Sequence, residues 1–91
     1  MPVDVRLSTV LRQYAAGQST VKANGGTIRE VLEDLVLQFP QLHGQVVTED
    51  GTLHKFVNIY LNDDDIRYLD KLDTKVTGDE TVSILPAVAG G

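Results

Sequence analysis

The sequence predicts an α+β fold: a mixed sheet of four to five strands packed on one main helix. Three observations predict it. Apolar residues alternate with polar ones in three separate runs, at Val3, Val5 and Leu7, at Val57, Ile59 and Leu61, and at Val82 and Ile84, the period of half-buried strands. Only one long segment, from Thr27 to Pro40, repeats its apolar residues at helical spacing. The order of these signals is strand, strand, helix, strand, short strand, strand, which places a single helix across one face of a sheet.

The first strand covers residues 3–8, and the segment TVLRQYAAGQ after it holds one helical turn ending near Gly17. Ser19 to Ala23 reads as a second strand, antiparallel to the first. Asn24-Gly25-Gly26 is turn chemistry; without a following Gly-Lys-Ser/Thr it is not a phosphate loop. Thr27 then opens the helix as its N-cap, and Glu30, three residues on, completes a capping box. Ile28, Val31, Leu32, Leu35, Val36 and Phe39 form the core stripe, while Arg29, Glu33, Asp34 and Gln38 take the wet face. Pro40 ends the helix, because the residue before a proline avoids helical torsions. A loop with a short helical turn at Gln41–Gln45 leads to the strand Phe56–Leu61. Asn62 to Asp65 is read as a turn, Ile66 to Tyr68 as a short returning strand, and Thr81 to Leu85 as the last strand.

Length and composition bound the function. Ninety-one residues argue for one domain with a small core. The net charge of −5 and pI near 4.7 repel phosphate backbones, so nucleic acid is not an expected partner. The same charge would steer the chain toward basic sites on other proteins, or serve solubility alone. There are no cysteines, hence no disulfides and no thiol nucleophile. No apolar run approaches the ~18 residues that span a bilayer, and MPVDVRLS lacks the basic flank and apolar core of a signal peptide. A cytoplasmic protein without membrane contact is expected.

The inventory of reactive side chains is poor. His43 and His54 stand eleven apart with no carboxylate at ligand spacing, and no metal site is expected. Asp63-Asp64-Asp65 lacks the alternating ligands and the distal glutamate of a calcium loop. Ser8, Ser19 and Ser83 have no histidine or glycine-flanked elbow nearby. What remains is PAVAGG, Pro86 to Gly91. A terminal glycine is unhindered at its α-carbon and thin enough to thread a tunnel in another protein. Pro86 cannot donate to a strand ladder, so residues 1–86 are read as the folded domain and 87–91 as a tail. Fully extended, the five tail residues reach about 17 Å. Ala87, Ala89 and Gly90 would let the tail pass, Val88 would anchor it, and Gly91 would carry the reactive carboxylate. Two glycines alone point more to an inert flexible end than to a reactive one.

The stretches HKFVNIYLNDDDIRYL (His54–Leu69) and GDETVSILPAVAGG (Gly78–Gly91), with TIREVLEDLVLQFP (Thr27–Pro40) more loosely, resemble the ubiquitin-like sulfur carriers of the ThiS/MoaD group, and within it the CysO-type carriers. The resemblance implies a ubiquitin-like β-grasp and a protein co-substrate rather than an enzyme. It further implies that an ATP- and magnesium-dependent activating enzyme adenylates the Gly91 carboxylate, and that a sulfur donor then displaces AMP to leave a thiocarboxylate. In CysO-type members that sulfur attacks an aminoacrylate held on a PLP-dependent synthase, the thioester rearranges to an amide, and a metal-dependent protease releases cysteine. All these cofactors would sit on partners, and this chain would bind none. The resemblance also implies docking through an apolar patch on the sheet, for which strand parity offers Phe56, Tyr60 and Leu85. Thiamine, molybdopterin or a sulfur-containing natural product remain alternative destinations for the sulfur. A protein tag joined to lysines through Gly91 and a binding module with an inert tail are the other readings.

Overall fold

In the computed structural model, which describes residues 2–44, 46 and 57–86, the alternating runs become the two faces of one sheet. Strands β1 (Pro2–Leu7), β2 (Thr20–Asn24), β3 (Val57–Leu61), β4 (Asp64–Asp65) and β5 (Thr81–Pro86) lie in the order β2-β1-β5-β3-β4. β1 and β5 run parallel, whereas β1–β2, β3–β5 and β3–β4 are antiparallel. The inner face is Val3, Val5, Leu7, Val21, Ala23, Val57, Ile59, Leu61, Val82 and Ile84, all buried. They share one core with Ile28, Val31, Leu32 and Leu35 of helix α2 (Ile28–Gln38). Val36 and Phe39 are only half-buried at its margin. A short helix α1 (Thr9–Arg12) and a 3-10 turn (Gln13–Ala15) link β1 to β2, contributing Leu11 and Ala15 to the core.

α2 starts where its sequence says it should. Thr27 is extended, and its Oγ1 accepts from the Glu30 N–H at 3.2 Å. The return half of the box is displaced by one residue, because the Glu30 carboxylate accepts from the Gly26 N–H at 2.8 Å. A bridge between Thr27 and Lys75 holds this segment. It is closed by Ile28 N–H to Thr74 O and Val76 N–H to Gly26 O, each 3.0 Å. That strap brings the Gly26 N–H to the carboxylate. Pro40 ends α2 and opens a 3-10 turn, Pro40–Leu42, which buries Leu42.

Several sequence expectations shift. The first strand runs Pro2–Leu7, without Ser8, and the helical turn expected at Gln41–Gln45 is Pro40–Leu42. The second strand runs Thr20–Asn24, and the last extends through Pro86, paired with Val57. The returning strand is Asp64–Asp65, and Ile66–Tyr68 is a 3-10 turn instead. Asn62 adopts φ 56°, which tightens the hairpin to a two-residue loop and brings Asp64 opposite Leu61. Asp65 Oδ1 then accepts from the Arg67 N–H at 2.9 Å and coils the chain, with Ile66 driven into the core.

The turn into α2 requires glycine at one position. A Cβ at Gly25 would lie 2.6 Å from the Val31 backbone nitrogen and 2.8 Å from the Glu30 carbonyl carbon. At Gly26 it would meet only the movable Glu30 Oε1, at 3.3 Å. Gly25→Ala is therefore expected to cost about 1–3 kcal/mol in urea denaturation, and Gly26→Ala distinctly less. Equal midpoints for the two variants would show that the close approach is not what the turn needs.

Candidate functional site

The site is built on β5, whose neighbours are β1 and β3. Its C-terminal end lies where β1 finishes and β3 begins. Ile84 is opposite Leu7, Pro86 is opposite Val57, and the Ser8 N–H donates to Ile84 O at 3.2 Å. Residues 87–91 attach to this end. Ala87, Val88, Ala89, Gly90 and Gly91, and Phe56 of the expected docking patch, lie outside the described residues.

The outer face of the sheet holds the remainder of that patch. Tyr60 pairs with Ser83, and Asn58 with Leu85, so Tyr60 and Leu85 are diagonal neighbours on one face. Both line a shallow depression with Arg6, Arg12, Asp63 and Ser83. Leu85 is 39% exposed and Tyr60 half-buried. Strand parity therefore placed both on the correct face.

A second depression shares Tyr60 and Asp63 with the first and adds Asp64, Asp65, Arg67, Tyr68 and Leu69. Tyr68 is 85% exposed and Leu69 41%. Sequence reasoning missed these two because a period-two strand assigns residues 66–68 differently from a 3-10 turn. The available signal was Asp65-Ile66-Arg67, an aspartate two residues before the amide it caps. Val10 on α1, 58% exposed close after Ser8, was also missed.

The Arg67 guanidinium lies along both Asp65 oxygens, with Nη2–Oδ2 at 2.8 Å and Nε at 3.1 and 3.2 Å. That side-chain hydrogen bonding is the main reason the Asp65 pKa is lowered below its usual value, against a smaller opposing effect of burial. The Arg67 pKa is raised by the same bond. Among the described residues no group of three histidine, cysteine or acidic side chains is arranged to hold a metal. His43 is exposed, and His54 lies outside the described residues. Among the described residues no helix is long and apolar enough to cross a membrane.

The ThiS family model matches residues 5–91. The sulfur carrier protein CysO of Mycobacterium tuberculosis is 41% identical over 93 residues, spanning the whole of both chains. A chain in the crystal structure of the Amycolatopsis orientalis BexX/CysO complex superposes with a TM-score of 0.88 at 38% identity, covering 98% of this chain and 99% of that one. The crystal structure of Mycobacterium tuberculosis CysO gives 0.87 at 39% identity, over 94% and 99%. These neighbours carry the ubiquitin-like β-grasp, and this chain shares that fold.

The Asp65–Arg67 pair generates a prediction with a definite sign. A carboxylate whose folded pKa is depressed contributes stability above its unfolded pKa, and that contribution disappears as the pH falls through the folded value. Asp65→Asn keeps a side-chain oxygen for the Arg67 N–H but removes the ion pair. Its deficit in urea stability relative to wild type should be present at neutral pH and shrink below about pH 4. A deficit independent of pH would assign the effect to the turn rather than to the charge.

Proposed function

The chain belongs to the ThiS family and is a CysO-like sulfur carrier, a protein co-substrate rather than an enzyme, and from that premise we propose that its Gly91 carboxylate is the group loaded with sulfur, for delivery to cysteine synthesis. The observation that carries this reading is the identity to CysO over the full length of both chains. A carboxylate is a poor acyl donor because its oxygen is a bad leaving group. On an activating enzyme, the Gly91 carboxylate oxygen attacks the α-phosphorus of ATP, and pyrophosphate leaves. A sulfide-equivalent donor then attacks the acyl carbon, the C–O bond to AMP breaks, and a thiocarboxylate remains. ATP and magnesium belong to that enzyme. In the cysteine reading, a PLP-dependent synthase accepts the sulfur and a metalloprotease releases the product.

This chain's own contribution is presentation. The small side chains of Ala87, Ala89 and Gly90 let the end enter a partner, with Val88 as a contact point. Tyr60 and Leu85, with Phe56, form the docking patch at the root of the tail. The Amycolatopsis CysO crystallised in complex with BexX supports uptake of such a carrier by a partner protein.

Intact-mass analysis after incubation with an activating enzyme, ATP and sulfide should show one oxygen replaced by sulfur at Gly91. Deleting Gly91 should leave the urea midpoint unchanged and abolish loading; a truncated chain that still accepts sulfur would sink the assignment. Isopeptide remnants of this chain on other proteins would favour the tag instead.

Tyr60→Ala should weaken binding to the activating enzyme about tenfold or more, measured by calorimetry, while stability changes by less than about 1 kcal/mol. A large loss of stability with unchanged affinity would make Tyr60 a packing residue.

A further inference from the structure

Among the described residues the sheet has two edges, and they differ. β4 contributes only two residues to its edge, whereas β2 contributes five. A five-residue edge with free main-chain groups is a template for pairing with another chain.

The groups on that edge can be identified. The Leu7 N–H donates to Ser19 O at 2.8 Å, toward β2. Alternation then makes Val5–Val21 and Val3–Ala23 the hydrogen-bonded pairs. Thr20, Lys22 and Asn24 therefore turn their main-chain groups away from β1. Two of these groups are taken by α2. Gln38 Nε2 donates to Lys22 O at 2.8 Å, and the Asn24 N–H donates to Asp34 Oδ2 at 2.9 Å. Gln38 Nε2 also donates to Asp34 Oδ2 at 2.8 Å, which joins both contacts into one relay.

We propose that Asp34 and Gln38 form a clip that closes the β2 edge against antiparallel pairing with β2 of a second copy of this chain. A second copy fits as the occupant because the outward groups at Thr20, Lys22 and Asn24 are symmetric about Lys22. A two-fold axis at Lys22 sets Thr20 of one copy opposite Asn24 of the other, so every outward group meets its complement and the two sheets become one. Lys22 then faces Lys22 across the junction, which adds like-charge repulsion to the clip. Lys22 is held on its own outer face by Asp4. The inference is independent of the sulfur chemistry.

The test removes the clip and reads both assembly and its location. The Asp34→Ala/Gln38→Ala variant should form a concentration-dependent dimer in sedimentation velocity where wild type stays monomeric. Amide exchange at Thr20 and Lys22 should slow about tenfold or more in that dimer, and adding Lys22→Thr should tighten it several-fold. A folded variant that stays monomeric, or a dimer without slowed exchange at residues 20 and 22, overturns the proposal. If the double variant loses its native far-UV spectrum, Gln38→Ala alone is used, since it keeps the Asp34 bond to Asn24. A folded Gln38→Ala protein with wild-type assembly and exchange overturns the proposal equally.

Discussion

The placement of β5 between β1 and β3 is the constraint on which the rest depends. It is the last strand in the chain and the middle strand of the sheet, parallel to the first. Its Val82 and Ile84 have no exposed surface, so the centre of the core is supplied by the C-terminal end. Such non-local pairing joins the two ends of the fold in one sheet, a topology that folds more slowly than local pairing. It also fixes where residues 87–91 attach. The Ser8 N–H on one side and Val57 on the other hold the last paired residues of β5. A carrier working through its terminus, as proposed, would gain from this arrangement, because a partner that grips the outer face of the sheet would also locate the root of the tail.

The period of two then divides labour between adjacent residues. Ile59 is buried and Tyr60 faces outward; Ile84 is buried and Leu85 faces outward. Core and proposed docking patch are thus interleaved on the same two strands, and neither can slip register without exchanging roles with the other. The 3-10 turn after β4 extends the patch at small cost. Ile66 anchors it in the core, Asp65 and Arg67 close it, and Tyr68 and Leu69 stand exposed beside Tyr60.

Most of the architecture was legible because its signals are local and repeated. Thr27 capped the helix as read, and the alternation at 3–7, 57–61 and 82–84 assigned the inner residues of β1, β3 and β5. The misplaced elements share a physical origin: short-range polar chemistry overrode periodicity, or a distant segment did. Asp65 capping the Arg67 N–H turned an expected strand into a 3-10 turn. The strap between Thr27 and Lys75, 48 residues apart in sequence, moved the capping contact from Thr27 to Gly26, and no local pattern announces it. Of the candidate site, Tyr60 and Leu85 were legible through parity. Tyr68 and Leu69 were not, because their exposure follows from the turn. The main-chain contacts of Asp34 and Gln38 were invisible as well, since a helical wheel places both on the wet face without saying that the wet face overhangs a strand edge.

The two edges and two faces of the sheet together narrow where a partner can bind. One face is filled by α2 and its core. The β4 edge is two residues long, too short to template a strand. The β2 edge has its Lys22 carbonyl and Asn24 amide already taken by side chains of α2. Among the described residues what remains is the outer face, and there the large apolar side chains lie on β3, β5 and the turn after β4, while β1 and β2 present Pro2, Asp4, Arg6, Thr20 and Lys22. A partner seeking apolar contact is therefore directed to the half of the sheet that contains β5. Main-chain pairing, which is sequence-tolerant, is suppressed, and side-chain recognition, which is specific, is left open. For a protein whose reactivity would reside in a few small residues with little recognition of their own, that restriction is what makes the choice of partner selective.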